Sequence, residues 1–419
     1  MIDRMRALHP VIVRTITLVI CLTLAGCTSA LPESSATPSP SVTAVSASSP
    51  VPSASPSPSP SAGPILRATA VSTVPDAFHY IEIGVGESYR LLLFDEAAVR
   101  PPVEVIHGGR LPAPVGPDVR TNAFSASADG RLVIVMVRES EQRTTYFVVW
   151  PETGEVRGVL SGSDLGPPVV TPDGQRIAYA RTSDDAQANG VWLMALPAAS
   201  VPAVPAPSRI VSDDPQRVGS PPRPLGWSAN AKWLAISPVL GPGASEVAVV
   251  DPSAGPTRFD AATNAFVGGR ARMLGPGYAI DWRGGEANVL VTSSVDLFGG
   301  RSEVYAADVN TGAIRSLYRP SADTVLAPAT WHPTIDRFAV SEHPLCCGAR
   351  VSAPVWVRGL NGSVTQVRDG GGVPWWSKDG AKLFATLGGD DSTGAIVDLL
   401  TGRGTQYCKR SQGAPPGCT

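Results

Sequence analysis

The sequence predicts an all-β chain, a β-propeller of seven four-stranded blades, with six as the alternative count. Three observations predict it. Past residue 65 the apolar residues fall in short alternating runs broken by Gly, Pro, Asn and Asp, with almost no helical periodicity. One motif recurs, in which an aromatic and a hydroxyl residue precede an Asp-Gly turn and an apolar strand. Its turn positions, Gly130, Gly174, Ala231, Gly285, Asp336 and Gly380, are separated by 44, 57, 54, 51 and 44 residues, the length of one propeller blade.

The chain opens with a basic start (Arg4, Arg6, Arg14) and the apolar run Thr15–Gly26. That run is too short for a stable span of roughly 30 Å of hydrocarbon but suits the core of a signal peptide. The end of that run with the residue after it, Leu24-Ala25-Gly26-Cys27, resembles the lipobox of bacterial lipoproteins, which implies a signal peptide over 1–26 and a lipidated Cys27. Residues 27–65 are dominated by Ser, Pro, Ala and Thr, a composition that cannot bury enough apolar surface to offset its ordering entropy. The segment reads as a disordered tether, holding a folded domain up to roughly 100 Å from the lipid at about 3 Å per residue.

Residues 66–409 carry the repeats. The closest copies are FSASADGRLVIVMV (Phe124–Val137), VTPDGQRIAYA (Val170–Ala180) and WWSKDGAKLFATL (Trp375–Leu387). Weaker copies begin at Gly226, Asp281 and Thr330. The glycine supplies the positive φ that a tight turn requires, and the aspartate fixes the turn through its own backbone. Each copy is followed by further apolar runs, so one unit reads as a four-stranded antiparallel sheet. Three runs ahead of the first copy (Phe78–Gly84, Tyr89–Asp95, Val103–Gly108) have no Asp-Gly turn but supply a seventh blade.

These copies resemble the WD40-like propeller repeats of the TolB family, whose signature is an aromatic-Ser-Pro-Asp-Gly stretch before an apolar strand. The resemblance implies the fold. TolB carries an α/β domain ahead of its propeller, where this chain has the Ser/Pro segment, so its role in the Tol–Pal envelope system is not carried over.

The chemistry is sparse. The net charge is −2, or −4 once the signal is removed, which gives no electrostatic footprint for nucleic acid. No Gly-x-Ser-x-Gly, Ser-x-x-Lys or His-Glu-x-x-His string is present, nor a phosphate-binding glycine loop. His332 follows Trp331 where other copies carry Ser, which places it near the inner end of a first strand; hydrogen bonding within the repeat turn is its simplest role. The acidic residues Asp184, Asp185, Asp296, Asp390 and Asp391 lie in loops that cluster on one propeller face. They would suit calcium, but Asp with Gly and Ser is also ordinary loop chemistry. The tryptophans Trp227, Trp282, Trp331, Trp375 and Trp376 precede the turn in several copies and read as wedges between blades rather than as ligand platforms.

The stretch Ser341–Arg350 holds His343, Cys346 and Cys347. In an extracytoplasmic chain the even set Cys346, Cys347, Cys408 and Cys418 points to disulfides. Topology puts all four on one face of the last two blades. Two cross-blade bridges would each close about 60–70 residues and contribute roughly 4 kcal/mol. A Cys346–Cys347 bridge with a Cys408–Cys418 tail loop, and a metal site using His343, stay open. The expectation is therefore a monomeric, lipid-anchored extracytoplasmic propeller, with residues 410–419 as a C-terminal tail. It has no cofactor and binds or scaffolds an envelope protein or glycan. The alternative is a channel hydrolase, lactonase-like or glycan-cleaving, that uses a divalent cation.

Overall fold

The computed structural model describes residues 66–408 apart from 84–88, 109–121, 141–142, 184, 197–205, 215–220, 242–243, 261, 284–286, 294–301, 322–323, 345–352, 371–372 and 389–392. The described strands fall within one unit, Ser61–Thr419. They form seven sheets arranged as the blades of a propeller, antiparallel throughout except for one added hairpin. The expected count and blade content are those observed.

Blade 2 shows the plan. From the inside outward it runs Asn122–Ala126, Val133–Ser140, Arg143–Trp150 and Glu155–Gly162, each strand pairing with the next. The innermost strands of blades 3 to 7 are Val169–Val170, Arg223–Trp227, Ala279–Trp282, Thr330–Trp331 and Trp375–Trp376. From blade 2 to blade 7, each touches the innermost strand of the next blade. The second and third strands carry the apolar residues, because they are covered on both faces by neighbouring blades. Val133 to Val137, for example, are all buried.

The repeat turn is built by local chemistry. In blade 2 the Ser127 hydroxyl donates to Asp129 Oδ1 at 2.6 Å and accepts from Leu132 N at 3.1 Å, while Asp129 accepts from Arg131 N. Thr171–Asp173, Ser228–Asn230 and Ser377–Asp379 repeat the pattern. The turn glycines Gly130, Gly174 and Gly380 have φ of 69–73°, and Ala231 takes φ 55° at the same place.

Three tryptophans act as wedges. Trp227, Trp331 and Trp376 are buried, each packed into the apolar cluster of the preceding blade. Trp282 and Trp375 are half-buried.

Blade 1 departs from sequence order. Phe78–Ile83, Arg90–Asp95 and Val103–Gly108 form its first three strands, and the outermost is Leu66–Ala68, which precedes them in the chain. Blade 7 (Trp375–Trp376, Leu383–Gly388, Thr393–Asp398, Gly404–Cys408) supplies all four of its own strands. The ring therefore closes between blades 7 and 1 through side chains rather than through a shared sheet. Phe94 meets Phe384 edge-on at 5.3 Å, and Ile81, Ile83 and Leu92 pack against Ile396 and Tyr407. A second addition sits in blade 4. The hairpin Thr257–Asp260 and Ala265–Val267 leaves its own blade and extends blade 3, pairing in parallel with Ser208–Ser212. Phe259, fully buried, packs its ring on Phe266.

Candidate functional site

The inner ends of blades 1, 5, 6 and 7, with Ala128 of blade 2, line an open cavity of about 400 Å³. Its aromatic lining includes Phe78, His79, Trp282, Trp331, Trp375 and Trp376, and its charged lining Asp76, Glu96, Asp281, Arg283 and Lys378. Each group arrives there by its place in the repeat. Trp282, Trp331 and Trp376 hold the position just before the turn in blades 5, 6 and 7, and Trp227 holds it in blade 4. The Trp227 indole N–H donates to Val169 O at 3.2 Å. Its counterparts at Trp282, Trp331 and Trp376 have no acceptor among the described residues. The four equivalent indoles thus divide, and the three with unspent donors are those beside the cavity.

Asp281 holds blades 5 and 6 together. Its Oδ2 accepts from Trp331 N at 2.6 Å and from Thr330 Oγ1 at 2.9 Å. Burial raises its pKa to about 6, against the pull of these hydrogen bonds. Glu96 does the same work between blades 1 and 7. It is buried, accepts from Lys378 N at 3.0 Å, and is raised by burial, an effect opposed by the Lys378 N–H. Lys382 Nζ donates to Glu96 O at 2.7 Å, and Lys378 Nζ to Asp76 O at 2.9 Å. His79 stacks on Trp375 with ring centres 4.2 Å apart and planes 12° apart. Burial lowers its pKa to about 4, so the ring is neutral at pH 7.

This seam predicts a contrast between two variants. Glu96→Ala leaves the Lys378 amide without its acceptor and is expected to lower unfolding free energy by about 2–3 kcal/mol in urea titration. Glu96→Gln keeps an acceptor oxygen, so its expected loss is under about 1 kcal/mol.

The residues singled out from sequence are placed as follows. His332 is buried; its Nδ1 accepts from Thr334 N and Ile335 N, both at 3.2 Å, so the ring proton sits on Nε2 and donates to Gly380 O at 3.0 Å. The imidazole thus takes the place of the hydroxyl in the turn and reaches the next blade. His343 lies on Arg337–Pro344, half-buried, 3.3 Å from Ser341 Oγ, and its pKa is lowered by burial. Asp185 is exposed and accepts from Gln187 N at 2.9 Å. Cys408 ends the last strand opposite Thr393. Cys27, Asp184, Asp296, Cys346, Cys347, Asp390, Asp391 and Cys418 lie outside the described residues. Among the described residues, no three of His, Cys, Asp and Glu converge as metal ligands, and no helix is long and apolar enough to cross a membrane.

The cavity itself was not foreseen from sequence. Its signal was present in the aligned copies: Asp281 stands before the tryptophan where the other copies have Gly226, Thr330 and Trp375. An acid at an inner-strand position of one blade alone marks a departure from the repeat.

No protein-family model matches the chain, and no curated protein matches it in sequence. Solved structures do match in fold. Prolyl oligopeptidase B from Galerina marginata is 14% identical with a TM-score of 0.50, over 82% of this chain and 51% of that one. TolB from Acinetobacter baumannii is 15% identical with a TM-score of 0.41, over 81% of this chain and 64% of that one. TolB, whose repeats these copies resemble, is thus among the matching structures. The chain spans less than two thirds of either protein, and at these identities the likeness is one of fold.

Proposed function

We propose that the chain is a lipid-anchored extracytoplasmic propeller that binds a glycan of the cell envelope at this cavity. The observation that carries the reading is the asymmetry of the tryptophan position. Four blades share an indole before the turn, and three of them line one cavity with Trp375, His79 and two carboxylates. Aromatic walls with a few converging polar groups are the usual composition of a small-ligand site. Sugars present both ring faces and hydroxyls to such a wall. The two carboxylates serve as acceptors for neighbouring blades, which ties them to holding the ring rather than to proton transfer.

Titration of the full chain with oligosaccharides, followed by tryptophan fluorescence, tests the reading. Trp282→Ala is expected to weaken binding at least tenfold while shifting Tm by only a few degrees, because Trp282 is half-buried. Unchanged binding would place the ligand elsewhere, and release of reducing ends would replace the binding module by a hydrolase. The anchor is tested separately: palmitate label is expected in the wild type and absent from Cys27→Ala, and equal labelling would remove it.

A further inference from the structure

A second cavity of about 830 Å³ lies between blades 5 and 6, beside the first. Arg283 lines both. The second cavity adds Arg315 and Arg337, and its single lining acid is Asp336. Three guanidiniums therefore face one carboxylate. Arg283 Nη1 contacts Asp336 Oδ1 at 2.5 Å, but Asp336 is 67% exposed, so solvent screens the pair and another anion can replace it. Arg315 and Arg337 have no carboxylate partner among the described residues, and the buried Nε of Arg337 has no acceptor there.

The two cavities are built from the same parts. The Arg283 guanidinium lies over the Trp331 ring at 5.6 Å and that of Arg337 over Trp376 at 4.9 Å. Both tryptophans line the aromatic cavity. Stacking on a ring orients a guanidinium while leaving its in-plane N–H donors for an oxyanion.

We propose that this face binds an anionic saccharide, its ring in the aromatic cavity and its carboxylate or phosphate group among Arg283, Arg315 and Arg337. The proposal rests on the glycan-binding reading and adds the charge of the ligand. A saccharide fits better than an acidic peptide because the faces of Trp282, Trp331, Trp375 and Trp376 with His79 line one space of about 400 Å³. A guanidinium fork accepts either carboxylate or phosphate, so the test separates these sources.

The full chain is titrated in detergent with triglucuronate, the neutral cellotriose, glucose 6-phosphate and triglutamate. Triglucuronate, or glucose 6-phosphate if the anion is phosphate, is expected to bind at least tenfold tighter than cellotriose. The margin should shrink as salt rises from 50 to 300 mM. Arg315→Gln, at an exposed position, and Arg337→Gln should each cut the margin several-fold, and Arg337→Lys should restore part of it. Equal affinity for charged and neutral sugars overturns the proposal while leaving the glycan reading intact. Binding of triglutamate without any sugar overturns both in favour of an acidic peptide, and binding of none of the four overturns both.

Discussion

Gly380→Ala is expected to destabilise the propeller by about 2–4 kcal/mol. Two causes add. Gly380 has φ +73°, where a Cβ is strained. A Cβ built there also stands 2.3 Å from His332 Cε1 and 2.5 Å from its Nε2. The imidazole cannot retreat easily, since its Nδ1 holds two turn amides and its edge meets Trp376 at 4.6 Å. Blades 2, 3, 4 and 7 place a hydroxyl (Ser127, Thr171, Ser228, Ser377) at the His332 position, and the Gly174 Cβ of blade 3 would find Ser127 Cβ at an ordinary 3.4 Å. The clash therefore belongs to the histidine. His332→Ser alone should lose about 1–2 kcal/mol of packing and hydrogen bonding. The double variant should cost at least 1 kcal/mol less than the sum of the two. Additive losses in urea would show that the backbone alone accounts for the effect.

The second large effect is in pH, where Asp281 and His79 pull in opposite directions. Asp281 titrates near 6 when folded, against 3.8 when unfolded. Its folded form holds the extra proton, so the stability from this group is complete below pH 3.8 and is lost as pH rises through 6. His79 titrates near 4 when folded, against 6.5 when unfolded. Its folded form refuses the proton, so the stability from this group is complete above pH 6.5 and is lost as pH falls through 4. Each span corresponds to about 3 kcal/mol at most. Glu96 adds to the first response, and His332 and His343 to the second. Between pH 6 and 4 the wild type should change little. His79→Phe, which keeps a ring against Trp375, should gain stability over that range, and Asp281→Asn should lose it. Parallel Tm curves for the two variants would show that neither group titrates in this way.

The blades were legible because their signals are local. An Asp-Gly pair, a hydroxyl two residues before the aspartate and an apolar run after it fix the turn whatever surrounds them. His332 occupies a repeat position, and its hydrogen bonds run within that turn and to the next blade. The hairpin Thr257–Val267 was not legible, because its partner Ser208–Ser212 lies about 45 residues earlier and a parallel pairing leaves no turn between the two strands. The strand Leu66–Ala68 is three residues long at the edge of a Ser/Pro-rich segment and carries no periodicity of its own. Arg283, Arg315 and Arg337 are far apart in the sequence and follow no motif; only the packing of blade 5 on blade 6 brings them around one groove.

The strand Leu66–Ala68 also decides where the propeller would yield under mechanical load. Tension on the chain before Leu66 acts on an outermost strand held by three antiparallel register pairs, Leu66 to Gly108, Arg67 to His107 and Ala68 to Ile106. Behind it, Thr69 N to Val105 O and Val71 N to Pro151 O tie the chain to the bodies of blades 1 and 2. Pulling from that end spends the short strand first, as a fuse, while the seam between blades 7 and 1 on the far side of the sheet stays unloaded.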